Sequence, residues 1–225
     1  MNTIFQIQRA ASLLICLVTF ATVAHAELRV PRVFGDGMVV QRDKPVRVWG
    51  WGDKGDSVEV AFEGQKQTTT VGADGRWLLT LDPMAVNASP QELVIKGKTD
   101  RLVLKNVVIG DVWLCSGQSN MEAEAGGIFD SDIDIPRAKH PNIRCLTIPL
   151  SSSPTALDNF PIEERNPYYV ELKGLWRTCT PGNTRQFPAV GYHFAKIVHE
   201  TTGVPIGLID NSWGGSAVET WISRE

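Results

Sequence analysis

The stretch "DVWLCSGQSNM", residues 111–121, ends an apolar run in a tight polar turn, and a serine placed there can act as a nucleophile. A serine hydroxyl reacts poorly until a base takes its proton and donors receive the developing oxyanion. A strand–turn–helix junction suits this chemistry, because the turn lifts the hydroxyl above the carboxyl end of a sheet, where α/β folds bind ligands. Ser119 would supply the hydroxyl, Asn120 an orienting hydrogen bond, and Gly117 the room for close approach. A structural alternative stands beside this one: Ser116, Ser119 and Asn120 are all suitable helix N-caps. A second glycine turn, "DNSWGGSAVETW" at 210–221, also follows an apolar strand. A backbone N–H of Gly214 or Gly215 would face the same sheet edge, with no side chain obstructing a substrate. Here too a structural role competes, since Ser216 and Glu219 have the spacing of a capping box. Trp213 and Trp221 either stack on a sugar ring or pack the turn.

A base is harder to find. His140 precedes Pro141 in a loop, while His193 and His199 fall on one helix, where both read as structural. No C-x-x-C or histidine pair has metal-ligand spacing, so no metal site is expected.

The elements that must carry these turns come in two textures. From Glu27 to Lys105 short alternating strands follow one another. "PVRVWGWG" sets Val46 and Val48 against Arg47 and Trp49, and "SVEVAF" aligns Val58, Val60 and Phe62. "ADGRWLLTL" opens on the Asp74-Gly75 turn and aligns Trp77, Leu79 and Leu81. Such strands, separated by Gly, Asp and Pro, predict a β-sandwich. After Asn106 the logic is α/β. "VVIGDVWLC" and "VPIGLID" read as strands buried on both faces of a parallel sheet, and "IRCLTIP" as another strand. Pro188 starts a helix whose apolar face holds Val190, Phe194, Ile197 and Val198, and Gly203 ends it. Residues 122–187 are rich in Pro, Ser, Asp and Asn and read as a long packed loop of the kind that lines functional sites.

The first 26 residues look like a cleaved secretory signal: a weakly basic start, an apolar run from Ala10 to Val23, and Ala24-His25-Ala26 before the cut. No other segment is long and apolar enough to span a membrane, so the mature chain, starting at Glu27, is expected to be secreted or periplasmic. A formal charge of −3 without a basic block argues against a nucleic-acid partner. Of the four cysteines, Cys16 leaves with the signal, Cys115 sits in a strand as a small hydrophobe, and Cys145 with Cys179 is the better candidate disulfide.

Taken together, "GDVWLCSGQSNME" and "VPIGLIDNSWGGSAVETW" resemble the sialate O-acetylesterase family, within the SGNH-type serine esterases. "VFGDGMVVQRDKPVRVWGWGDKGDSVEV" resembles the β-rich N-terminal region of the same enzymes, so the likeness covers essentially the whole mature chain. It implies a signal peptide (1–26), a β-sandwich-like domain (27–105) and the first part of a flavodoxin-like, three-layer α/β/α hydrolase domain (106–225). Ser119 corresponds to the nucleophile, and its N–H and the Gly214-Gly215 turn to the oxyanion donors. The implied reaction is hydrolysis of an O-acetyl ester on a sugar or glycan through an acetyl-serine, with no cofactor. Acetylxylan esterases share these turns, so the sugar stays open. The family pattern continues with a Gln-Gly-Glu string and an Asp-x-x-His pair holding the base. Neither occurs in the 225 residues. The resemblance therefore implies a truncated catalytic domain, inactive by itself. A non-enzymatic reading is a carbohydrate-binding or scaffolding β-sandwich with exposed tryptophans.

Overall fold

Alternation along the first strands pairs them into two facing layers. The computed structural model describes residues 27–161 and 173–222; the signal segment and residues 162–172 of the long loop lie outside the described residues. The strands are β1 (Val39–Gln41), β2 (Val46–Trp51), β3 (Ser57–Phe62), β4 (Gln65–Thr70), β5 (Arg76–Leu81), β6 (Asn87–Lys96), β7 (Arg101–Gly117), β8 (His140–Thr147), β9 (Trp176–Cys179) and β10 (Ile206–Ser212). The helices are α1 (Ser119–Glu122), α2 (Ser131–Asp134), α3 (Pro181–Thr184) and α4 (Ala189–Thr202). β2 and β5 form an antiparallel ribbon, Val46 opposite Leu81 and Trp51 opposite Arg76. Its inner face, Val48, Trp77, Leu79 and Leu81, packs on Val58, Val60, Leu93, Ile95 and Val107 of the larger sheet. This is the expected sandwich, and each strand buries the residues that its alternation selects.

The larger sheet runs β4-β3-β6-β7-β10-β8-β9, with β1 added to β7. β7 is 17 residues long, about 55 Å of extended chain, and belongs to both halves of the fold. The expected boundary at residue 106 falls inside this strand. There Asn106 takes a φ of 56°, in the left-handed region, and β7 gains one residue relative to β6. Such a bulge bends and twists a strand. Arg144 sits over it, 2% exposed, donating to Gly37 O (2.9 Å), Asn106 Oδ1 (3.0 Å) and Asn106 O. It has no carboxylate partner among the described residues, and burial pulls its guanidinium down to about 10. A guanidinium fork can satisfy several carbonyls turned inward at a bend, which no apolar side chain could do.

Beyond the bulge β10 runs parallel to both β7 and β8, and α4 covers one face, burying Tyr192 and Ala195 against Ile143, Ile206 and Leu208. The opposite face carries Trp176, whose Nε1–H donates to Val33 O (2.8 Å). The result is the α/β architecture anticipated from the strands. α4 ends as expected, with Gly203 at φ 72° donating to His199 O. Its apolar face does not behave as expected: Val190, Phe194 and Ile197 are exposed, and the helix turns Ala189, Gly191, Tyr192 and Ala195 inward. Gly191 explains the choice, since a Cβ there would lie 2.7 Å from Cys115 Sγ; the close approach selects the Gly191–Ala195 side. β7 also departs from the expectation of burial on both faces. From Asp111 onward only β10 pairs with it among the described strands, and Trp113 (45%) and Leu114 (65%) stay exposed.

The cysteine pairing is corrected as well. Cys115, Cys145 and Cys179 are buried free thiols. Cys145 lies opposite Arg177, whereas Cys179 lies opposite His140 across a register shift, so the two thiols are out of step along the β8–β9 pair. Thr184 Oγ1 donates to Cys179 Sγ (3.2 Å) instead. No helix among the described residues is long and apolar enough to cross a membrane.

Candidate active site

The register between β7 and β10 brings the two glycine turns together. Ser212 pairs with Gly117, so both strands end at one level, and the Trp213 N–H donates to Gly117 O (2.9 Å). Gly117 has φ 144°, a value that favours glycine, and reverses the chain into α1. Ser119 is the first residue of α1 and is exposed. It does not cap: the N-cap is Gln118, without a side-chain cap bond, and Ser119 Oγ donates to Gln118 Oε1 (3.0 Å). The hydroxyl therefore faces outward from the carboxyl edge of the sheet.

Gly214 sits against this turn. A Cβ built on it would lie 3.8 Å from Ser119 Cα and 2.3 Å from Glu122 Oε2. The reason for the second value is a hydrogen bond from the Gly214 N–H to Glu122 Oε2 (2.8 Å), joining residues 92 apart in sequence. The Gly214 N–H is thus occupied, while the Gly215 N–H has no partner among the described residues. Gly215 takes φ 76°, which turns the chain back. The Ser216–Glu219 capping box does not form. Ser216 Oγ donates to Trp213 O (2.6 Å) and accepts from Trp221 Nε1 (3.1 Å), tying both tryptophans into a 3-10 turn at Val218–Trp221.

Glu122 and Asp210 were not singled out in the sequence. Glu122 follows Ser119 with S-x-x-E spacing, which reads locally as a capping box and hides the long-range contact. Asp210, on β10, is 7% exposed, and its Oδ1 accepts from Ser212 N (3.2 Å) and Ser212 Oγ (2.6 Å). Burial raises its carboxyl, and the Ser212 donors oppose that shift. Burial likewise raises Glu124. With Glu122, Thr147, Lys173 and Ser212, these two acids line a polar cavity of ≈ 230 Å³. No group of three His, Cys, Asp or Glu among the described residues is placed to hold a metal ion.

The histidines stand elsewhere. His199 Nδ1–H donates to Val204 O (2.7 Å), two residues before β10, and its ring lies 6.2 Å from that of His140. β10 separates that end from the Ser212 end by about 20 Å. His193 lies in the first half of α4 beside Tyr192. No described histidine is hydrogen-bonded to Ser119.

Because Glu122 holds the second turn to the first alongside the Trp213–Gly117 bond, Glu122→Ala is expected to lower stability by about 1.5–3 kcal/mol in a urea titration, as for a lost hydrogen bond to a charged acceptor. Glu122→Gln keeps an acceptor and should lose less than half of that. Gly214→Ala displaces the same carboxylate, so combining it with Glu122→Ala should add little. Full additivity of the two would contradict the link.

Comparison with known proteins gives likenesses of three kinds, to a family model, to curated relatives and to a solved structure. Residues 109–225 match the model of the family described as carbohydrate esterase, sialic acid-specific acetylesterase. Sialate O-acetylesterase of Rattus norvegicus is 32% identical, over 83% of this chain and 36% of its own length. That of Homo sapiens is 31% identical, over 87% and 39%. In three dimensions the chain is similar to XAC1771, a novel carbohydrate acetylesterase from Xanthomonas citri, with TM-score 0.79 and 34% identity over 88% of this chain and 43% of that one. The chain thus spans roughly two fifths of the length of each relative.

Proposed function

The chain belongs to the carbohydrate esterase family of sialic acid-specific acetylesterases, and from that premise we propose that Ser119 attacks the acetyl carbonyl of an O-acetylated sugar. The oxygen–carbonyl bond that forms makes an acetyl-serine, and the sugar hydroxyl leaves; water then releases acetate. The observation that supports this reading most is the pairing of turns at one sheet edge, with Ser119 exposed beside Gly214 and Gly215. The free Gly215 N–H and the Ser119 N–H are the donors we assign to the oxyanion; Glu122 holds Gly214 and so fixes the turn that carries Gly215. The polar cavity bounded by Glu122, Lys173 and Asp210 offers partners for the hydroxyls of a sugar. The proton of Ser119 needs a base, and among the described residues only Gln118 is bonded to its hydroxyl.

The full chain incubated with an activated aryl acetate, then digested and mapped by mass spectrometry, tests the assignment. Acetyl-Ser119 is expected in preference to acetylation of any other serine. Acetylation of surface lysines with Ser119 unmodified would overturn it. The same reading places the mature protein outside the cytoplasm, and the N-terminus of the chain recovered from an exporting host is expected at Glu27. An intact Met1 on the exported chain would refute that.

A further inference from the structure

We propose that the outer face of the β2–β5 ribbon is a second, non-catalytic site that binds the pyranose rings of a sugar chain, with Trp49 as its stacking platform. Strand alternation sends Val48 and Trp77 inward, to 0% and 3% exposure, and leaves Trp49 outside at 40%. Leu78 lies opposite Trp49 in the ribbon and is 44% exposed. The sequence thus spends one tryptophan on the core and keeps Trp49 and Trp51 on the other side of the same ribbon. A cleft of ≈ 690 Å³ opens there; Arg47, Trp49, Trp51, Arg76 and Leu78 line it, together with Asp74 and the mostly buried Trp77. That volume lies within the range of about 300–1,000 Å³ that small-molecule sites occupy. It shares no lining residue with the cavity beside the serine turn.

Both rings are held before any ligand arrives. Phe34 meets Trp49 in an edge-to-face contact, with centroids 4.7 Å apart and planes at 76°. The Arg29 guanidinium lies 4.6 Å from the centroid of the Trp51 ring. A ring fixed in this way loses little freedom when a ligand stacks on it. The polar groups around the rings suit hydroxyls. Arg47 is exposed, lines the cleft and has no hydrogen-bond or ion-pair partner among the described residues, so its N–H donors are available. Arg76 is anchored through Nη2 to Asp158 Oδ2 (2.6 Å), which leaves its other donors in place at the rim. Thr70 adds a hydroxyl.

A pyranose has one apolar C–H face and a belt of equatorial hydroxyls, and this cleft answers with an aromatic face and a belt of donors. Nucleic acid is a poor fit for a chain of net charge −3. A wholly apolar ligand would leave Arg47 desolvated and unpaired. Holding a glycan here would raise the local concentration of its acetyl groups near the serine turn, by effective concentration rather than by new catalytic contacts.

Affinity electrophoresis of the full chain in native gels containing either glucuronoxylan or a sialylated mucin tests the proposal. Retardation by at least one of the two is expected, and it should persist in Ser119→Ala, which separates this site from the esterase reading. Trp49→Ala and Arg47→Ala should each weaken retardation about tenfold, while Trp49→Phe keeps part of it. Both substitutions lie on the solvent side of the ribbon; an unchanged urea midpoint confirms that the fold is intact, and Arg47→Ala carries the test if Trp49→Ala unfolds. Migration unaffected by both polysaccharides would overturn the site. So would retardation that survives Trp49→Ala and Arg47→Ala but is lost in Glu122→Ala.

Discussion

Ser119→Ala is expected to lower acetyl transfer from an aryl acetate to the chain to the level of incidental acetylation. The expectation rests on how little else Ser119 does. Its side chain is exposed, caps no helix, and bonds only Gln118 beside it, so its removal costs almost nothing in packing. A loss of labelling therefore reports chemistry rather than unfolding. The neighbouring serines provide the control. Ser212 is buried and its Oγ donates to Asp210 at 2.6 Å, while Ser216 Oγ donates to Trp213 O and accepts from Trp221, so both hydroxyls are held within the protein. Ser216→Ala is expected to keep acetyl-Ser119 formation within a few-fold. Equal labelling of Ser119→Ala and the unsubstituted chain would remove Ser119 from the nucleophile role.

The largest effect on folding is expected from Gly110→Ala, a loss of at least about 3 kcal/mol, sufficient to make the chain insoluble on expression. Gly110 lies on β7 at the point where that strand leaves β1 and β6 and begins to pair with β10. A Cβ there would stand 2.0 Å from Pro205 O and 2.7 Å from Pro205 C. These are backbone atoms, and the same carbonyl accepts from the Asp111 N–H (2.9 Å). Moving Pro205 aside would break that bond and tilt β10 away from β7, separating the Gly214 turn from the Ser119 turn. Relief by a side-chain rotation is not available. Gly182→Ala makes the comparison, because no atom lies within 4 Å of a Cβ there and α3 accepts alanine readily. Equal denaturation midpoints for the two variants would show that the crossing can open at small cost.

Much of this architecture is legible in short windows of sequence. Alternation alone places Val48, Val58, Val60 and Leu79 inside, because a strand repeats every two residues whatever packs on it. Pro188 and Gly203 bounded α4 for equally local reasons, a fixed φ at one end and a left-handed cap at the other. The position of Ser119 after an apolar strand was local too. Other features follow contacts between distant segments. Val190, Phe194 and Ile197 form an apolar stripe, but the side of α4 that meets the sheet was settled by the tight fit of Gly191 over Cys115, which belongs to another element. The Cys145–Cys179 expectation failed on a register shift between β8 and β9. Ser216 and Glu219 had the spacing of a cap, yet Ser216 was drawn to Trp213 and Trp221.

By itself, then, the sequence determined the strands, the two glycine turns and the serine that one of them carries, since each depends on periodicity or backbone freedom within a few residues. Only the tertiary structure decided that Gly214 donates to Glu122 across 92 residues, that Arg144 closes the bulge at Asn106, and that Phe34 meets the Trp49 ring edge-to-face. Those outcomes depend on which strand ends reach the same level and how closely backbones approach, and hydrogen bonds between distant segments leave no periodic trace in the chain.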